Sequence, residues 1–410
     1  MKKLILSNVL LLLAVSVFLF SCSSSDPGPK VLLPKADGFY IYGTNTVASG
    51  PSELTARMAL AALDFTKGPK VATLDSVYGK YLYIGAGSKI SFANVIDEKG
   101  TIYGADGGGA IDSAKDVANS PIKDKVIHGT LKANAEQIAI AEEGLYYAYV
   151  NLNTAEFIIM KVRANMIGDA TVKQWAGGTD LPQKSSTKDV TVFEGTNILL
   201  TKGNGYRYRM NDGWAIYQDD NIITYNSLGV HDWGESWAAQ VNNLVFEASN
   251  IPQSVGSGYY TVTLTYTAST GIWSETKVKT GDVYSQYSIG IIGDATDGGS
   301  FNGDGTGGYE VKLPTKTGSN YTWTWSNVTF IKDKEFVFLQ NATWGKFLVA
   351  YDGAAVSGTS IDAGDVIDAT ADPVNSPYHN FHVINGGAVD VTLTVNADTD
   401  AVTVVINKHV

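Results

Sequence analysis

The pentapeptide Ile-Gly-Asp-Ala-Thr occurs twice in this chain, and its spacing limits the folds that the sequence can adopt. The two copies begin at Ile167 and Ile292, so Gly168 and Gly293 are 293 − 168 = 125 residues apart. A further step of the same length toward the N-terminus reaches Gly43 in FYIYGTN, again an apolar run that ends in glycine. A repeat of this length is typical of whole domains in tandem rather than of solenoid turns. The sequence therefore predicts three related domains.

The ends of the three copies share a strand–turn–strand pattern. In the second copy Val262, Leu264 and Tyr266 alternate with threonines, and in the third Val391 and Leu393 alternate with polar residues. A period of two predicts a hairpin with one buried face and one wet face, and we expect the same of GLYYAYVNLNTAEFIIMKV in the first copy. The first copy is degenerate and contains no tryptophan. The predicted domains cover residues 36–163, 164–285 and 286–410.

The composition favours strands over helices. The chain has 43 glycines and 22 tyrosines among many Thr-Val-Thr runs. Each copy also has a strand, a polar turn and a second strand near its middle, as in TNILLTKGNGYRYRMNDGW, which we interpret as a hairpin. About seven short strands per copy predict an all-β chain of tandem β-sandwich domains, either immunoglobulin-like or like carbohydrate-binding modules. The exception is residues 51–65, where Ser52 and Glu53 predict the start of a short helix.

The N-terminus has the pattern of a secretory signal peptide over residues 1–21. Two lysines precede an apolar run to Phe20, and the small residue Ser21 precedes Cys22. The alternative is a transmembrane anchor. The run is shorter than the about 20 residues that a membrane span requires, Ser7 interrupts it, and no basic residues flank its far side.

Cys22 is the single cysteine of the chain, so it has no partner for an intrachain disulfide. Its place at the end of the signal predicts lipidation, as in bacterial lipoproteins, with a free thiol as the alternative. The serine-rich residues 22–35 that follow predict a flexible tether. We therefore expect an exported protein that is anchored to a membrane by lipid.

Charge and motif content argue against several classes of function. The net charge is −11 and the basic residues are dispersed, which argues against a nucleic-acid partner. No HExxH, GxSxG or phosphate-binding loop motif occurs, and we predict neither an enzyme nor a bound cofactor. A pair of glycosidase carboxylates stays open as an alternative. Residues 297–308, DGGSFNGDGTGG, have the composition of a calcium loop but lack an EF-hand's closing glutamate, so a glycine-rich surface loop is the other interpretation.

The tryptophans are the candidate ligand-binding residues. All eight lie after residue 174, so the repeated fold does not require them. The flat apolar ring of tryptophan suits the C–H face of a sugar, and nearby amides and carboxylates suit its hydroxyls. We expect Trp273 to be structural, and Tyr321, Trp323 and Trp325 to share one strand face. The candidate glycan-binding residues are Trp175, Trp214, Trp233, Trp237 and Trp344.

The motifs GDAT followed by an aromatic residue, YTWTW, EFVF and YTVTL together resemble the SusE/SusF family of starch-binding outer-membrane lipoproteins of Bacteroidetes. The third copy matches best, the second matches through GDATVKQW, and the first matches in outline. The resemblance implies a row of β-sandwich domains that hold glycan beside a TonB-dependent transporter, without catalysis. It also implies a protein anchored to the outer membrane by lipid and exposed at the cell surface. It also implies sugar contacts for Trp175 and Trp214 and, in the third copy, for Trp344. Phe301 stands where the family has a tryptophan after GDAT.

Two functions follow as hypotheses. The first is a cell-surface lipoprotein that binds a polysaccharide, starch-like or another glycan, near an outer-membrane uptake system. The alternative is a structural or assembly module of an outer-membrane complex that binds no glycan.

Overall fold

The structure is a computed structural model, and the β-strands dominate the part of the chain that it describes. That part contains 34 strands, four short 3-10 turns and no α-helix, which confirms the predicted all-β fold. The 3-10 turns are Leu54–Ala56, Asp106–Gly108, Gln174–Ala176 and Tyr284–Gln286. The described residues are 36–61, 63–65, 71–72, 75–113, 125–212, 217–219, 222–223, 232–235, 244–246, 250–254, 256–296, 299, 309–341, 347–349, 359–362, 366 and 380–410.

The first twelve strands form one large sheet and part of a small one. The large sheet, here called the N-terminal sheet, follows the order β1-β6-β7-β9-β12-β11-β5-β2, with β10 on β6 and β8 on β9. The strands are β1 (Gly38–Gly43), β2 (Ala59–Leu60), β3 (Leu63–Phe65), β4 (Val71–Ala72), β5 (Val77–Ile84), β6 (Ser88–Ile96), β7 (Lys99–Ala105), β8 (Ala110–Ser113), β9 (Lys125–Ala133), β10 (Ile138–Ile140), β11 (Gly144–Asn151) and β12 (Glu156–Lys161).

The next twelve strands form two sheets. Middle sheet I has the order β14-β13-β17-β20-β21 with β22 on β17, and middle sheet II has the order β15-β16-β23-β24. A small sheet, β19-β18-β3-β4, combines two of these strands with two earlier ones. The strands are β13 (Ala164–Ile167), β14 (Thr179–Leu181), β15 (Gln183–Ser186), β16 (Val190–Leu200), β17 (Gly205–Met210), β18 (Tyr217–Asp219), β19 (Ile222–Ile223), β20 (Asp232–Glu235), β21 (Leu244–Phe246), β22 (Ile251–Pro252), β23 (Gly258–Thr267) and β24 (Ile272–Gly281).

The last ten strands form two further sheets. C-terminal sheet I has the order β26-β25-β29-β30 with β32 on β29, and C-terminal sheet II has the order β27-β28-β33-β34-β31. The strands are β25 (Ile289–Ile292), β26 (Tyr309–Lys312), β27 (Thr315–Thr317), β28 (Asn320–Phe330), β29 (Glu335–Gln340), β30 (Phe347–Val349), β31 (Thr359–Asp362), β32 (Phe381–His382), β33 (Gly387–Asn396) and β34 (Ala401–Lys408). The three predicted domain boundaries stay a prediction.

The middle strand–turn–strand units are not hairpins. β16 pairs with β15 and β23, whereas the next strand, β17, pairs with β13, β20 and β22. β28 and β29 likewise belong to different sheets, and β5 and β6 lie in the N-terminal sheet without being neighbours. In the middle and C-terminal copies the polar turn therefore carries the chain from one sheet to another. The sequence predicts the two strands correctly but not their partners, because a turn between layers and a turn within a sheet use the same residues.

The closing hairpins differ in burial. In β23 the side chains alternate between buried and half-buried, as the sequence predicts. In β11 all eight residues are buried, so the prediction of one wet face is wrong for the first copy. Tyr146 and Ala148 face the core of the N-terminal sheet, while Tyr147 and Tyr149 belong to a core that continues into the middle sheets. The face that would be wet in an isolated hairpin is covered by the next part of the chain.

The predicted helix at residues 51–65 is wrong in this structure. Only Leu54–Ala56 form a 3-10 turn, and the chain is extended again at Arg57. The Met58 amide donates a hydrogen bond to the Phe39 carbonyl at 2.8 Å, and Met58 is buried. Pairing with the edge of the N-terminal sheet thus competes with the helix, and burial of Met58 outweighs the weak local preference.

Candidate functional site

The repeated pentapeptide forms a corner at the end of a strand. Gly168 has a φ of +137°, and a Cβ atom there would lie 2.5 Å from the Gly205 carbonyl oxygen. The Thr171 hydroxyl donates to the Gly168 carbonyl at 2.9 Å, and the Thr201 amide donates to the Ala170 carbonyl at 2.9 Å. Glycine is therefore required both by the backbone conformation and by the close approach of the neighbouring strand.

The same corner occurs in the other two copies. Gly293 has a φ of +149°, and the Thr296 hydroxyl donates to its carbonyl at 2.8 Å. The Thr46 hydroxyl donates to the Gly43 carbonyl at 3.1 Å, so the first copy keeps the bond although its sequence reads GTNT. The pentapeptide is a structural marker that turns the chain out of the strand, and the loop that follows it is free to differ.

In the middle copy this loop carries Trp175. Trp175 lies in the turn Gln174–Ala176 and is 39% exposed. Among the side chains that the structure describes, it is the one aromatic residue in the exposed class. The Gly168 amide donates to the Gln174 carbonyl at 3.1 Å, and the Lys173 ammonium donates to the Gly178 carbonyl at 3.2 Å. These bonds close residues 168–178 into a compact loop, here called the Trp175 loop, that holds the ring near the surface.

The Trp175 loop ends directly over Asn165. A Cβ atom on Gly178 would lie 2.6 Å from the Asn165 amide carbon, so the backbone crosses this side chain in contact with it. Asn165 is fully buried and lies on β13, whose register places it opposite Arg209 of β17 and Asp180 of β14. The loop therefore packs on the polar face of middle sheet I.

That face carries a cluster of paired charges, here called the polar cluster. Asp212 accepts hydrogen bonds from the Asn165 amide and the Arg163 guanidinium, and from Arg209 Nη2 at 3.4 Å. Arg163 Nη1 also donates to Asp180 Oδ1 at 3.1 Å, and Arg209 Nε donates to Asn165 Oδ1 at 3.4 Å. Two arginines thus face two aspartates, so the cluster is balanced in charge.

The corresponding face differs in the other two copies. In the C-terminal sheets the same registers pair Gly290 with Leu339 and Ile292 with Val337, an apolar and buried set. In the N-terminal sheet the corresponding residue is Tyr40, which packs with Tyr42, Ala48 and Ala56. The fold is therefore compatible with an apolar face at this position, and the polar cluster is a property of the middle copy.

Sequence reasoning missed most of the polar cluster. It predicted amides and carboxylates near the candidate tryptophans, but it did not single out Arg163, Asn165 or Arg209. A signal was present, because the arginines of YRYRM alternate with tyrosines and so lie on the face opposite the core. Without pairing information, that alternation is the same as for an ordinary solvated strand.

The other predicted site residues lie mostly outside the described residues. For Trp233 the structure describes the backbone alone. In β20, Trp233 pairs with Tyr208 of β17, and Asp232 pairs with Arg209 of β17. β20 thus adjoins the strand that bears the polar cluster. Residues 297–308, interpreted as a calcium loop or a glycine-rich surface loop, also lie outside the described residues, apart from Gly299. Five residues that the sequence analysis singled out lie outside the described part of the chain: Cys22, Trp214, Trp237, Phe301 and Trp344.

The structural assignments for the remaining tryptophans are confirmed. Trp273 is 1% exposed and belongs to the core that joins the N-terminal and middle sheets. Tyr321, Trp323 and Trp325 are buried together on one face of β28. These rings pack in cores and are not accessible to a ligand.

Two searches of the described residues give negative results. These ranges hold no helix with the length and apolar character of a membrane span. They also hold no group of three or more histidine, cysteine, aspartate or glutamate side chains placed to bind a metal ion.

The chain has a distant structural neighbour among solved structures. No protein-family model matches the chain, and no curated protein matches it. The crystal structure of SusF from Bacteroides thetaiotaomicron aligns with 14% sequence identity and a TM-score of 0.23, over 92% of this chain and 73% of that chain.

Proposed function

We propose that this chain is a cell-surface lipoprotein that binds a neutral glycan and has no catalytic activity. The observation that carries the proposal is the exposed Trp175 ring on a closed loop directly over the polar cluster of middle sheet I. The resemblance of its motifs to SusE/SusF proteins supports the same function. On that resemblance, the lipid at Cys22 would anchor the protein in the outer membrane, beside a TonB-dependent transporter.

The chemistry of the site fits a neutral polyol. The indole ring offers an apolar face for stacking on the C–H face of a sugar. Guanidinium groups donate and carboxylates accept hydrogen bonds, so the polar cluster can satisfy hydroxyls of either role. Each charge already has a partner of opposite sign, so a charged ligand would compete with an existing ion pair.

Stability alone does not account for the polar cluster. A partly buried ion pair loses hydration energy that is similar in size to its Coulomb attraction. Replacement of such a pair by apolar residues therefore often leaves the stability of a protein unchanged or raises it. In the C-terminal copy, Gly290 and Leu339 stand at the positions of Asn165 and Arg209, so one arginine of the cluster has an apolar counterpart there. Retention of charge in the middle copy is consistent with a binding role.

A second candidate function is a structural module of an outer-membrane complex. It is favoured by the contacts of the turn before β34 with the middle part of the chain. Asp400 accepts hydrogen bonds from the Ser257 amide at 2.7 Å and from the Tyr284 hydroxyl at 2.6 Å. Such contacts between successive parts of the chain suit a rigid spacer.

Replacement of Trp175 tests the leading proposal. We expect Trp175→Ala to weaken binding of the full chain to its polysaccharide at least about tenfold, because the stacking face is lost. The measurement is affinity electrophoresis and calorimetry against starch, dextran, mannan, xylan and β-glucan.

The matched control is Ile272→Ala, which removes an exposed apolar side chain from the β23–β24 hairpin of the same sheets. Retained binding by folded Trp175→Ala protein would refute the site. Absence of binding to every polysaccharide by the unaltered protein would refute the function and favour the structural module.

A further inference from the structure

A cleft lies between the N-terminal sheet and the middle sheets. Its volume is about 730 Å³, within the range of about 300–1,000 Å³ that is usual for small-molecule sites. The N-terminal sheet contributes Glu142, Tyr146 and Lys161 to its walls, and the middle sheets contribute Asp180 and Phe193. Neither part of the chain forms the cleft alone.

Two ion pairs line the rim of the cleft. Lys161 Nζ lies 3.2 Å from Glu142 Oε2 in the N-terminal part, and Arg163 Nη1 lies 3.1 Å from Asp180 Oδ1. Two positive and two negative groups give the rim no net charge. A neutral ligand with hydroxyls can bond to these groups without separating either pair, whereas an ionic ligand would have to displace a partner.

The base of the cleft is apolar. It includes Ile159, Val162, Leu181 and Phe193. The Tyr146 hydroxyl donates to the Glu142 carbonyl at 2.8 Å, which orients the ring along the wall. An apolar base beneath a ring of hydrogen-bonding groups matches a sugar residue, which has C–H faces and hydroxyl edges.

The cleft is held open by bonds across the junction. The Leu145 amide donates to Gln183 Oε1 at 3.4 Å, and Asn211 Nδ2 donates to the Lys161 carbonyl at 2.9 Å. On the core side, Tyr81 of the N-terminal sheet packs on Tyr266 and Trp273 of the middle sheets at centroid distances of 5.5 Å. A site fixed in this way avoids much of the ordering cost of binding.

Arg163 connects the cleft to the polar cluster. One side of its guanidinium pairs with Asp180 at the cleft, and the other pairs with Asp212 beneath the Trp175 loop. The loop itself continues into β14, which carries Asp180. We propose that the cleft is an extension of the glycan site, in which Lys161 and Glu142 of the N-terminal sheet bind the part of a chain that continues beyond Trp175. This inference rests on the proposed function.

The N-terminal part of the chain therefore takes part in binding although it has no tryptophan. Because the cleft is lined by Asp180, which follows the Trp175 loop, and by no residue of the loop itself, we expect it to contribute to the binding of long oligosaccharides and not of short ones. This dependence on chain length distinguishes the extension from the Trp175 site.

The test compares Lys161→Met and Glu142→Gln with the matched control Lys132→Met. Lys132 forms an ion pair with Asp106 at 3.0 Å on the same sheet, and both pairs are at the surface, so these variants are expected to fold. Calorimetry is performed on the full chain with malto-, cello-, xylo- and manno-oligosaccharides, each from disaccharide to heptasaccharide. We expect the two cleft variants to bind the heptasaccharide about tenfold more weakly and the shortest bound oligosaccharide unchanged.

The outcomes separate the two proposals. If Trp175→Ala loses binding while Lys161→Met and Glu142→Gln match Lys132→Met at every length, the extension is refuted and the Trp175 site stands. If the cleft variants weaken short and long oligosaccharides equally, the extension is also refuted. If the unaltered protein binds none of the oligosaccharides or polysaccharides, both proposals fall.

Discussion

At the residue scale, the corner glycines show how a repeated motif serves the fold. Gly168 and Gly293 combine a left-handed φ with contact against the next strand. A Cβ atom on Gly43 would lie 2.2 Å from the Lys89 carbonyl oxygen, which is as close as at the other two glycines. The φ of Gly43, however, is not left-handed. The close approach is therefore the feature common to all three copies, and the sequence gives no sign of the difference in φ.

Replacement of the middle corner glycine tests this interpretation. We expect Gly168→Ala to lower the free energy of unfolding by about 2 kcal/mol or more, since strain at such a φ costs about 1–3 kcal/mol and the Cβ contact adds to it. The loss would be measured as a lower midpoint in thermal and urea unfolding. Gly50→Ala is the control, because the nearest atom to its Cβ position is 4.0 Å away. Equal midpoints for the two variants would contradict the argument.

At the element scale, equivalent strands of the middle and C-terminal sheets bury different kinds of side chain. The middle core contains a hydrogen-bonded polar network, and the C-terminal core is apolar at the same positions. In the middle core the Glu275 carboxylate accepts from Tyr206 at 2.9 Å and from Tyr208 at 2.5 Å. Lys277 Nζ lies 3.2 Å from the same carboxylate and also donates to Gln253 at 3.1 Å. The registers of the strand pairs identify the corresponding residues of the C-terminal core, and all of them are apolar. Phe336 and Phe338 stand for Tyr206 and Tyr208, and Val404 and Ile406 stand for Glu275 and Lys277.

This comparison predicts that one substitution lowers the free energy of unfolding strongly, whereas four together leave it nearly unchanged or raise it. Glu275→Val alone is expected to lower the free energy of unfolding by about 3–5 kcal/mol, because it leaves a lysine and two hydroxyls without their carboxylate. The fourfold variant Tyr206→Phe, Tyr208→Phe, Glu275→Val and Lys277→Ile is expected to be within about 1 kcal/mol of the unaltered protein or more stable. Urea unfolding measures both. A fourfold variant as unstable as Glu275→Val would show that the network is required for folding.

At the scale of the whole molecule, a cluster of tyrosines joins the N-terminal sheet to the middle sheets. Tyr81 packs on Tyr147 at 4.6 Å between ring centroids, and Tyr266 donates to the Tyr81 carbonyl at 3.3 Å. Burial raises the pKa of Tyr147, and the nearby Tyr266 raises it further. Burial also raises the pKa of Tyr149, with added contributions from Tyr147 and Glu156. The junction therefore depends on tyrosines that stay neutral.

The raised pKa values predict alkaline unfolding. The folded protein keeps protons that the unfolded chain loses above pH about 10, so stability is constant below that pH and falls as the pH rises beyond it. The Tyr149 hydroxyl is buried with no hydrogen-bond partner among the described residues. We expect Tyr149→Phe to raise the pH of unfolding and to cost no stability at neutral pH. Circular dichroism and tyrosinate absorbance, with Tyr103→Phe as control, measure the transition. An unchanged midpoint would contradict the prediction.

The sequence and the structure contribute different parts of the candidate site. The tryptophan after the corner could be predicted, because a polar loop offers Trp175 nothing local to pack on. The polar cluster could not, because Arg163, Asn165 and Asp212 come from separate strands whose pairing the sequence does not specify. The cleft was equally beyond prediction, since its walls come from two parts of the chain.

By itself the sequence determined the strand content and the three-fold recurrence of a glycine after an apolar strand. These depend on local backbone chemistry and on periodicity, which are readable along the chain. The tertiary structure alone decided which strands pair after the middle turns, why both faces of β11 are buried, and which copy carries a charged face. These features depend on contacts between distant residues, and burial there outweighs what each segment favours alone.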